Sequence, residues 1–427
     1  MPDPTPHTDA PLRPAGAWRA VLRRPAGAAS LAILAVVALA CVLSLPWTLA
    51  PVPQPGASGA TIARYNAGST GAGRLPPSWV SPGSGQRERL AMQLAEPDAA
   101  RVPSPGRTIA DVVESPTREE LARLRDLAPR SALGTDVLGR SMLARLLLGG
   151  AISLGVGLVA AMISVVIGTL YGSIAGYAGG RTDALLMRIV DVLYGLPYVL
   201  IVVLLAVAGG ALVDEYVSRE GARRAHVRDA AGEVLRAEGT PATPGAVEAL
   251  LASRPDTREA LEQAALDALP RRTLSEPART AIDLGVLLLA IGGTSWLTMA
   301  RVVRAEVMSV RARPFIDAAR VVGVSPVRLF RVHLLPNIAP TIIVYATLTV
   351  PQAILQESFL SFLGIGVRPP LPSWGRLAAE GLGELNPYES NWWLLVFPCA
   401  CLGVVLVALN LAGDALREVL DPRRAPR

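Results

Sequence analysis

The chain has 427 residues, 51% of them hydrophobic and only 18% charged, with a mean hydropathy of +0.39. Ordinary soluble domains carry roughly a quarter charged residues, so a wholly soluble protein is excluded. The net charge of +6 rests on arginine alone, because the chain contains no lysine. The arginines gather beside the apolar runs, which reads as positive-inside topology and not as nucleic-acid binding.

Residues 1–26 are polar and proline-rich, with Arg13, Arg19, Arg23 and Arg24 close to the first apolar run, and read as a cytoplasmic N-terminal tail. Residues 27–50 are expected to form the first transmembrane helix. Its apolar part suffices to cross a bilayer, which takes about 20 residues. It exceeds the roughly 7–15 residues of a signal-peptide core, which favours retention over cleavage near Thr48-Leu49-Ala50. Cys41, Cys399 and Cys401 all lie in apolar runs and read as small buried hydrophobes, so no disulfide or metal framework is expected.

Residues 51–130 begin rich in Pro, Gly and Ser and read as a partly ordered extracytoplasmic loop. Within it, Thr117 and Glu120 have capping-box spacing before Leu121, Leu124 and Leu127. Residues 131–213 form the first part of a membrane core. In the uncharged run 147–180, Gly168, Gly172, Gly176 and Gly180 recur every four residues, a face along which another helix can approach closely. Arg181-Thr182-Asp183 then reads as a short inner turn. A third span, 187–213, contains a break at Gly195-Leu196-Pro197 and Asp191, for which Arg188 is the expected ion-pair partner.

Residues 214–281 are charged with nearly balanced sign. Helix starts at Thr243-Pro244 and Asp256-Thr257, with Leu250, Leu251, Leu261, Ala265 and Leu269 at helical spacings, predict a helical extracytoplasmic insertion. Residues 282–427 complete the membrane core. A short fourth span, 284–300, runs into Arg301, Arg304, Arg311 and Arg313. The fifth, 338–367, holds Glu357, a charged residue in an apolar run and hence a candidate pathway residue. The sixth, 392–411, opens with Trp392-Trp393, read as an interface belt. The expected fold is all-α, a polytopic membrane protein with about six transmembrane helices.

Between the fourth and fifth spans lies the cytoplasmic loop 311–337. Pro314 suits the first turn of a short helix and Gly323 a left-handed end. Ser325-Pro326 suits the start of a second helix, and Leu335-Pro336 its break. Two short helices joined at a glycine on a membrane surface make a docking knob. A Walker A loop needs a lysine at the β/γ-phosphates, so nucleotide chemistry of that kind belongs to another chain.

Asp317-Ala318-Ala319, Gly323 and Leu334-Leu335-Pro336 resemble the EAA loop of ABC-importer permeases, with Asp317 in place of the usual Glu. Leu133-Gly134-Thr135-Asp136-Val137-Leu138-Gly139-Arg140 is similar to the LGTDxxGRD stretch of the dipeptide/oligopeptide/nickel branch, with Ser141 replacing its last Asp. Residues 360–375 resemble its FLGLGVxPPxPSWG stretch, and 410–423 its NLLGDxLRDxLDPR tail. The resemblance covers 131–427 apart from the 214–281 insertion.

That resemblance implies a type I ABC-importer permease fold in the inner (plasma) membrane, with both termini cytoplasmic. It implies a non-enzymatic pathway subunit for peptides, nickel chelates or similar small solutes, with no cofactor. The implied partners are a homologous second permease subunit, two ATP-binding ATPase subunits and an extracytoplasmic solute-binding protein. Asp317, Ala318, Ala319, Gly323, Leu334 and Pro336 would couple to the ATPase. The alternatives are a secondary transporter, for which no paired internal repeat is evident, and a membrane-anchored sensor using 214–281 to bind a ligand.

Overall fold

A computed structural model describes residues 19–54, 60–92, 101–127, 131–270, 275–385 and 389–420. The expected tail up to residue 18 and the Asp421-Pro422-Arg423 motif lie outside the described residues. Among the described residues, six helices are long and apolar enough to cross a membrane: Pro25–Thr48, Met142–Ala178, Val199–Ser218, Pro277–Arg311, Pro326–Phe362 and Trp393–Leu420. The chain divides into two compact units, one of Met1–Val202 with Leu287–Arg427, the other of Val203–Val286.

The larger unit opens with α1 (Pro25–Leu43) and the short α2 (Leu45–Thr48). The segment that follows is more ordered than its Pro/Gly composition suggests. Strand β1 (Pro51–Pro53) pairs antiparallel with β2 (Thr61–Ala63), Val52 opposite Ile62. Helices α3 (Ser84–Met92), α4 (Ile109–Glu114) and α5 (Arg118–Leu127) then enclose Leu75, Leu90, Val102, Val112 and Leu124. The Thr117–Glu120 capping box forms, with Glu120 accepting from Thr117 N at 2.9 Å and its own N–H donating to Thr117 Oγ1 at 3.3 Å.

Helix α6 (Met142–Ala178) starts at Ser141, whose hydroxyl accepts from Ala144 N. It ends where Gly179 and Gly180 both take positive φ. The residues expected as an inner turn instead open α7 (Gly180–Gly195). Leu196 is extended, as the residue before a proline prefers, and separates α7 from α8 (Tyr198–Ser218) at the anticipated break. Gly168, Gly172 and Gly176 of α6 meet α12 (Glu276–Arg311), while a Cβ on Gly180 would meet nothing.

Helix α12 has 36 residues, far beyond the predicted span 284–300. Its arginines extend the helix because each finds an anchor. Arg301 pairs with Asp191 at 2.8 Å, displacing the expected Arg188 partner. Arg304 holds Asp183 at 2.5 and 2.6 Å, and Arg311 donates to the Tyr177 carbonyl at 2.6 Å.

Helix α15 (Leu335–Phe362) packs along α6, and α16 (Trp374–Leu382) and α17 (Trp393–Leu420) close the bundle. The main core joins Cys41, Met142, Leu146, Ile354, Trp374, Trp393 and Val405 from five helices. Trp393 is therefore not an interface residue. It is buried and its indole N–H faces the Thr135 carbonyl at 3.4 Å, whereas Trp392 stacks edgewise on Trp79. Cys41 is buried, but Cys399 is exposed on the surface of α17, contrary to the sequence reading.

In the unit Val203–Val286, helices α9 (Glu220–Ala237), α10 (Pro244–Ser253) and α11 (Pro255–Ala268) enclose Ala231, Leu235, Val247 and Leu250. Thr243 caps α10 as anticipated by accepting from Ala246 N, and α11 begins at Pro255, with Arg254 and not Asp256 at its cap position. Asp214 of α8 pairs with Arg279 of α12, and Gly209 packs on Val286, so these two helices run side by side within this unit.

Candidate functional site

The loop between α12 and α15 forms two short helices, each with a buried face and an exposed face that mixes valines with charged residues. Helix α13 (Pro314–Val321) begins with Pro314 in its first turn, where a missing N–H costs nothing. Its end is a Schellman motif: Gly323 N donates to Arg320 O at 2.9 Å and Val324 N to Ala319 O at 3.1 Å. Gly323 has φ +80°, a conformation that a side chain with a Cβ resists. Helix α14 (Pro326–Leu329) follows, with Ser325 at the cap position but making no side-chain cap bond.

Pro336 does not break this second helix. A π-turn, Phe330–Leu334, carries the helix without interruption into α15, giving one apolar helix over Pro326–Phe362. Proline lacks an N–H and its ring crowds the carbonyl four residues back. A wider turn just before Pro336 relieves both conflicts.

Ile316, Leu329, Leu334 and Ile338 are fully buried against Met299, Val303, Val307 and Val310 of α12. Arg311 adds a polar anchor at the end of α6, donating to Tyr177 O, and Arg311 and Arg320 both lie over the Tyr177 ring, at 5.8 and 5.6 Å. Asp317 pairs with Arg320 one turn on, at 3.2 Å, and stays largely exposed. The tip presents Val321 and Val322, 88% and 81% exposed, with Val327 and Val332 beside them. Exposed valines at the turn between two short helices leave apolar surface that this chain does not itself cover.

Two buried polar clusters lie elsewhere in the same unit. Glu357 is fully enclosed and accepts from Ser153 Oγ of α6 at 2.8 Å and Ser361 Oγ at 2.7 Å. Trp374 N in turn donates to Ser153 Oγ at 3.2 Å, so one hydrogen-bonded chain ties α6, α15 and α16 together. A Cβ on Gly375 would overlap the backbone of Ser358, so glycine is required for this approach. In the second cluster, Arg145, only 1% exposed, bridges Asp136 at 2.5 Å and Glu380 at 2.7 Å. Arg140 also binds Asp136 and Arg376 binds Glu380, and the group lines a cavity of about 300 Å³. Burial pushes the Glu380 carboxyl up, but the hydrogen bonds and charge of Arg145, with Arg376 and Arg140, outweigh it and hold it below the usual carboxylate value.

Residues 168–426 match the family described as binding-protein-dependent transport system inner membrane component. The chain belongs to this family. It is 36% identical over 290 residues to the dipeptide transport system permease protein DppC of Bacillus subtilis (strain 168), covering 68% of each chain. It is 33% identical over 290 residues to the oligopeptide transport system permease protein OppC of Haemophilus influenzae, covering 68% of this chain and 70% of that one. With OppC of Escherichia coli (strain K12) the identity is 35% over 298 residues, 70% and 74% of the two chains. The chain is thus an inner-membrane permease component of a binding-protein-dependent ABC importer, a transport protein and not an enzyme. Membership implies a binding protein and an ATPase as partners in general terms, and it sets aside the stand-alone secondary transporter.

Within this permease, the residues singled out by sequence fall into three groups. Asp317, Ala318 and Gly323 are exposed at the loop tip, where a partner can reach them. Ala319 is half-buried and Leu334 fully buried, so they hold the loop to α12 and do not form its outer face; Pro336 is exposed at the root of α15. Glu357 is fully buried and enclosed by serine hydroxyls. Sequence reasoning missed Tyr177 and Arg145, and the anchoring role of Arg311. Arg145 had a detectable signal, an arginine at the edge of an apolar run nine residues after Asp136, but its second partner lies 235 residues away.

Proposed function

We propose that this permease carries peptides or chemically similar small solutes, and that two ATP-binding ATPase subunits drive it through the 311–337 loop. A second, homologous permease subunit completes the pathway, and an extracytoplasmic solute-binding protein delivers the cargo. The cargo class rests on the dipeptide and oligopeptide systems for which the relatives are named. The arginine bias supports placing the loop and both termini on the cytoplasmic side, with 51–130 and 214–281 outside.

The observation that carries the coupling reading is the opposition of faces in the loop. Val321 and Val322 are almost wholly exposed, while Ile316, Leu329 and Leu334 of the same short stretch are locked into α12. A displacement of the tip by a docked ATPase therefore moves α12 and the root of α15 as one body, since packed interfaces switch between discrete arrangements. Ala318 leaves room for close approach, and Asp317 with Arg320 offers a charged pair at the rim.

The test is a Val321→Asp, Val322→Asp double variant purified with its ATPase subunits. A central apolar contact in an interface is worth about 2 kcal/mol or more, so cargo-stimulated ATP hydrolysis and uptake should fall at least about tenfold each. Membrane insertion should be unchanged. Retained ATPase association together with full uptake by this variant would sink the coupling assignment.

A further inference from the structure

We infer that the helical unit Val203–Val286 carries a binding site for a small carboxylate bearing an apolar group, centred on Arg223. Helices α9, α10 and α11 form a cleft of about 680 Å³, within the size range of sites for small molecules, roughly 300–1,000 Å³. Its apolar wall comes from Val227 of α9, Leu251 of α10, and Ala265 and Leu266 of α11.

The charges around the cleft do not cancel. Arg224 pairs with Glu220 at 3.1 Å, Arg258 with Glu262 at 2.7 Å, and Arg228 faces Glu248 at 4.0 Å. Arg223, the fourth arginine of the lining, has no carboxylate partner among the described residues. It is only 8% exposed. Its Nε donates to the Leu269 carbonyl at the end of α11, at 2.8 Å, which fixes the plane of the guanidinium. Its Nη2 is buried without a hydrogen-bond partner.

A buried guanidinium nitrogen without an acceptor is unfavourable unless an anion meets it. The chemistry that matches is a carboxylate, an oxygen of which accepts a charge-assisted hydrogen bond from Nη2. The apolar wall beside it selects an acid with a branched or linear aliphatic group over a bare inorganic anion. This arrangement is independent of the coupling loop, and it gives the insertion a ligand-recognition role that membrane transport alone does not require.

The experiment uses the full chain in detergent micelles and saturation-transfer NMR with four probes: N-acetyl-leucine, N-acetyl-leucinamide, 4-methylpentanoate and acetate. N-acetyl-leucine should bind saturably, with the amide and acetate at least tenfold weaker. Tighter binding of N-acetyl-leucine than of 4-methylpentanoate assigns the site to peptide or amino-acid termini; the reverse assigns it to free aliphatic acids. Arg223→Gln should reduce binding of the acid at least tenfold, to the level of the amide. Ala252→Trp, at an exposed position on the cleft, should block binding while leaving Arg223 and its Leu269 contact in place, so a folding defect in the first variant does not decide the matter. Equal binding of acid and amide, acetate binding as tightly as N-acetyl-leucine, or full binding by both variants overturns the proposal.

Discussion

The Arg145 cluster shows how much depends on one buried charge. Arg145 serves two carboxylates, Asp136 in the loop before α6 and Glu380 on α16. Removing one member of a buried ion pair costs about 3–5 kcal/mol, because its partners remain buried and unpaired. Arg145→Met should therefore lower the melting temperature of the solubilised protein markedly, while Arg376→Met, at a half-buried position, should do so far less. Two held carboxylates, one in this cluster and one in the 101–127 segment, set the acid response. Glu380 and Glu120 both bind protons less readily in the fold than in an unfolded chain, where the value is near 4.5. Their stabilisation is thus complete above pH 4.5 and is lost as the pH falls toward the folded value, which for Glu120 is about 2. Glu120 is held there by the backbone N–H groups of Thr117 and Ser104. Hydrogen-exchange protection across 101–127, taken relative to the intrinsic rate at each pH, should fall between pH 4.5 and 2 in the native protein, and Glu120→Gln should remove much of that pH dependence. Local spacing made the Thr117–Glu120 cap legible in the sequence. The Arg145–Glu380 pair was not, because no periodicity links residues 235 apart.

At the scale of elements, close approach and backbone conformation decide two variants. A Cβ on Gly172 would sit 3.0 Å from both Arg304 N and Val303 Cβ of α12, and one on Gly176 would lie 2.8 Å from the Arg304 carbonyl. Gly172→Val should push α12 from α6 and weaken the Arg304–Asp183 contact beside it, which disulfide trapping between cysteines placed on the two helices can measure. Gly323→Val acts differently, since its Cβ would meet nothing and only the backbone objects. Holding a side-chain-bearing residue in a left-handed conformation costs about 1–2 kcal/mol. That is too little to unfold the protein but enough to let α13 tilt. Uptake should fall while membrane insertion and the melting temperature change little; normal uptake would show that the angle between α13 and α14 does not matter. The glycine ladder and the helix–glycine–helix outline could both be read from spacing. The π-turn could not, because it is the fold's answer to Pro336 within a helix that tertiary packing keeps continuous.

For the whole molecule, six apolar runs and their arginine flanks made the membrane architecture readable, and matched motifs in order pointed to the family. What stayed hidden was the extent of each helix, because charged residues that end an apolar run need not end a helix when anchors such as Asp183 and Asp191 receive them. The insertion poses the last question at this scale. Within its own unit, α8 and α12 already lie together through Asp214–Arg279 and the Gly209–Val286 contact. A flexible Gly/Ser connector of about eight residues reaches roughly 15 Å, so replacing 219–275 with such a connector asks little of either helix. If the unit is a recognition module added to a complete permease, the shortened chain should still insert, still associate with its ATPase and still couple hydrolysis to uptake. It should lose saturable binding of N-acetyl-leucine. Loss of uptake with insertion and ATPase association intact would instead make the unit part of the route that cargo must take.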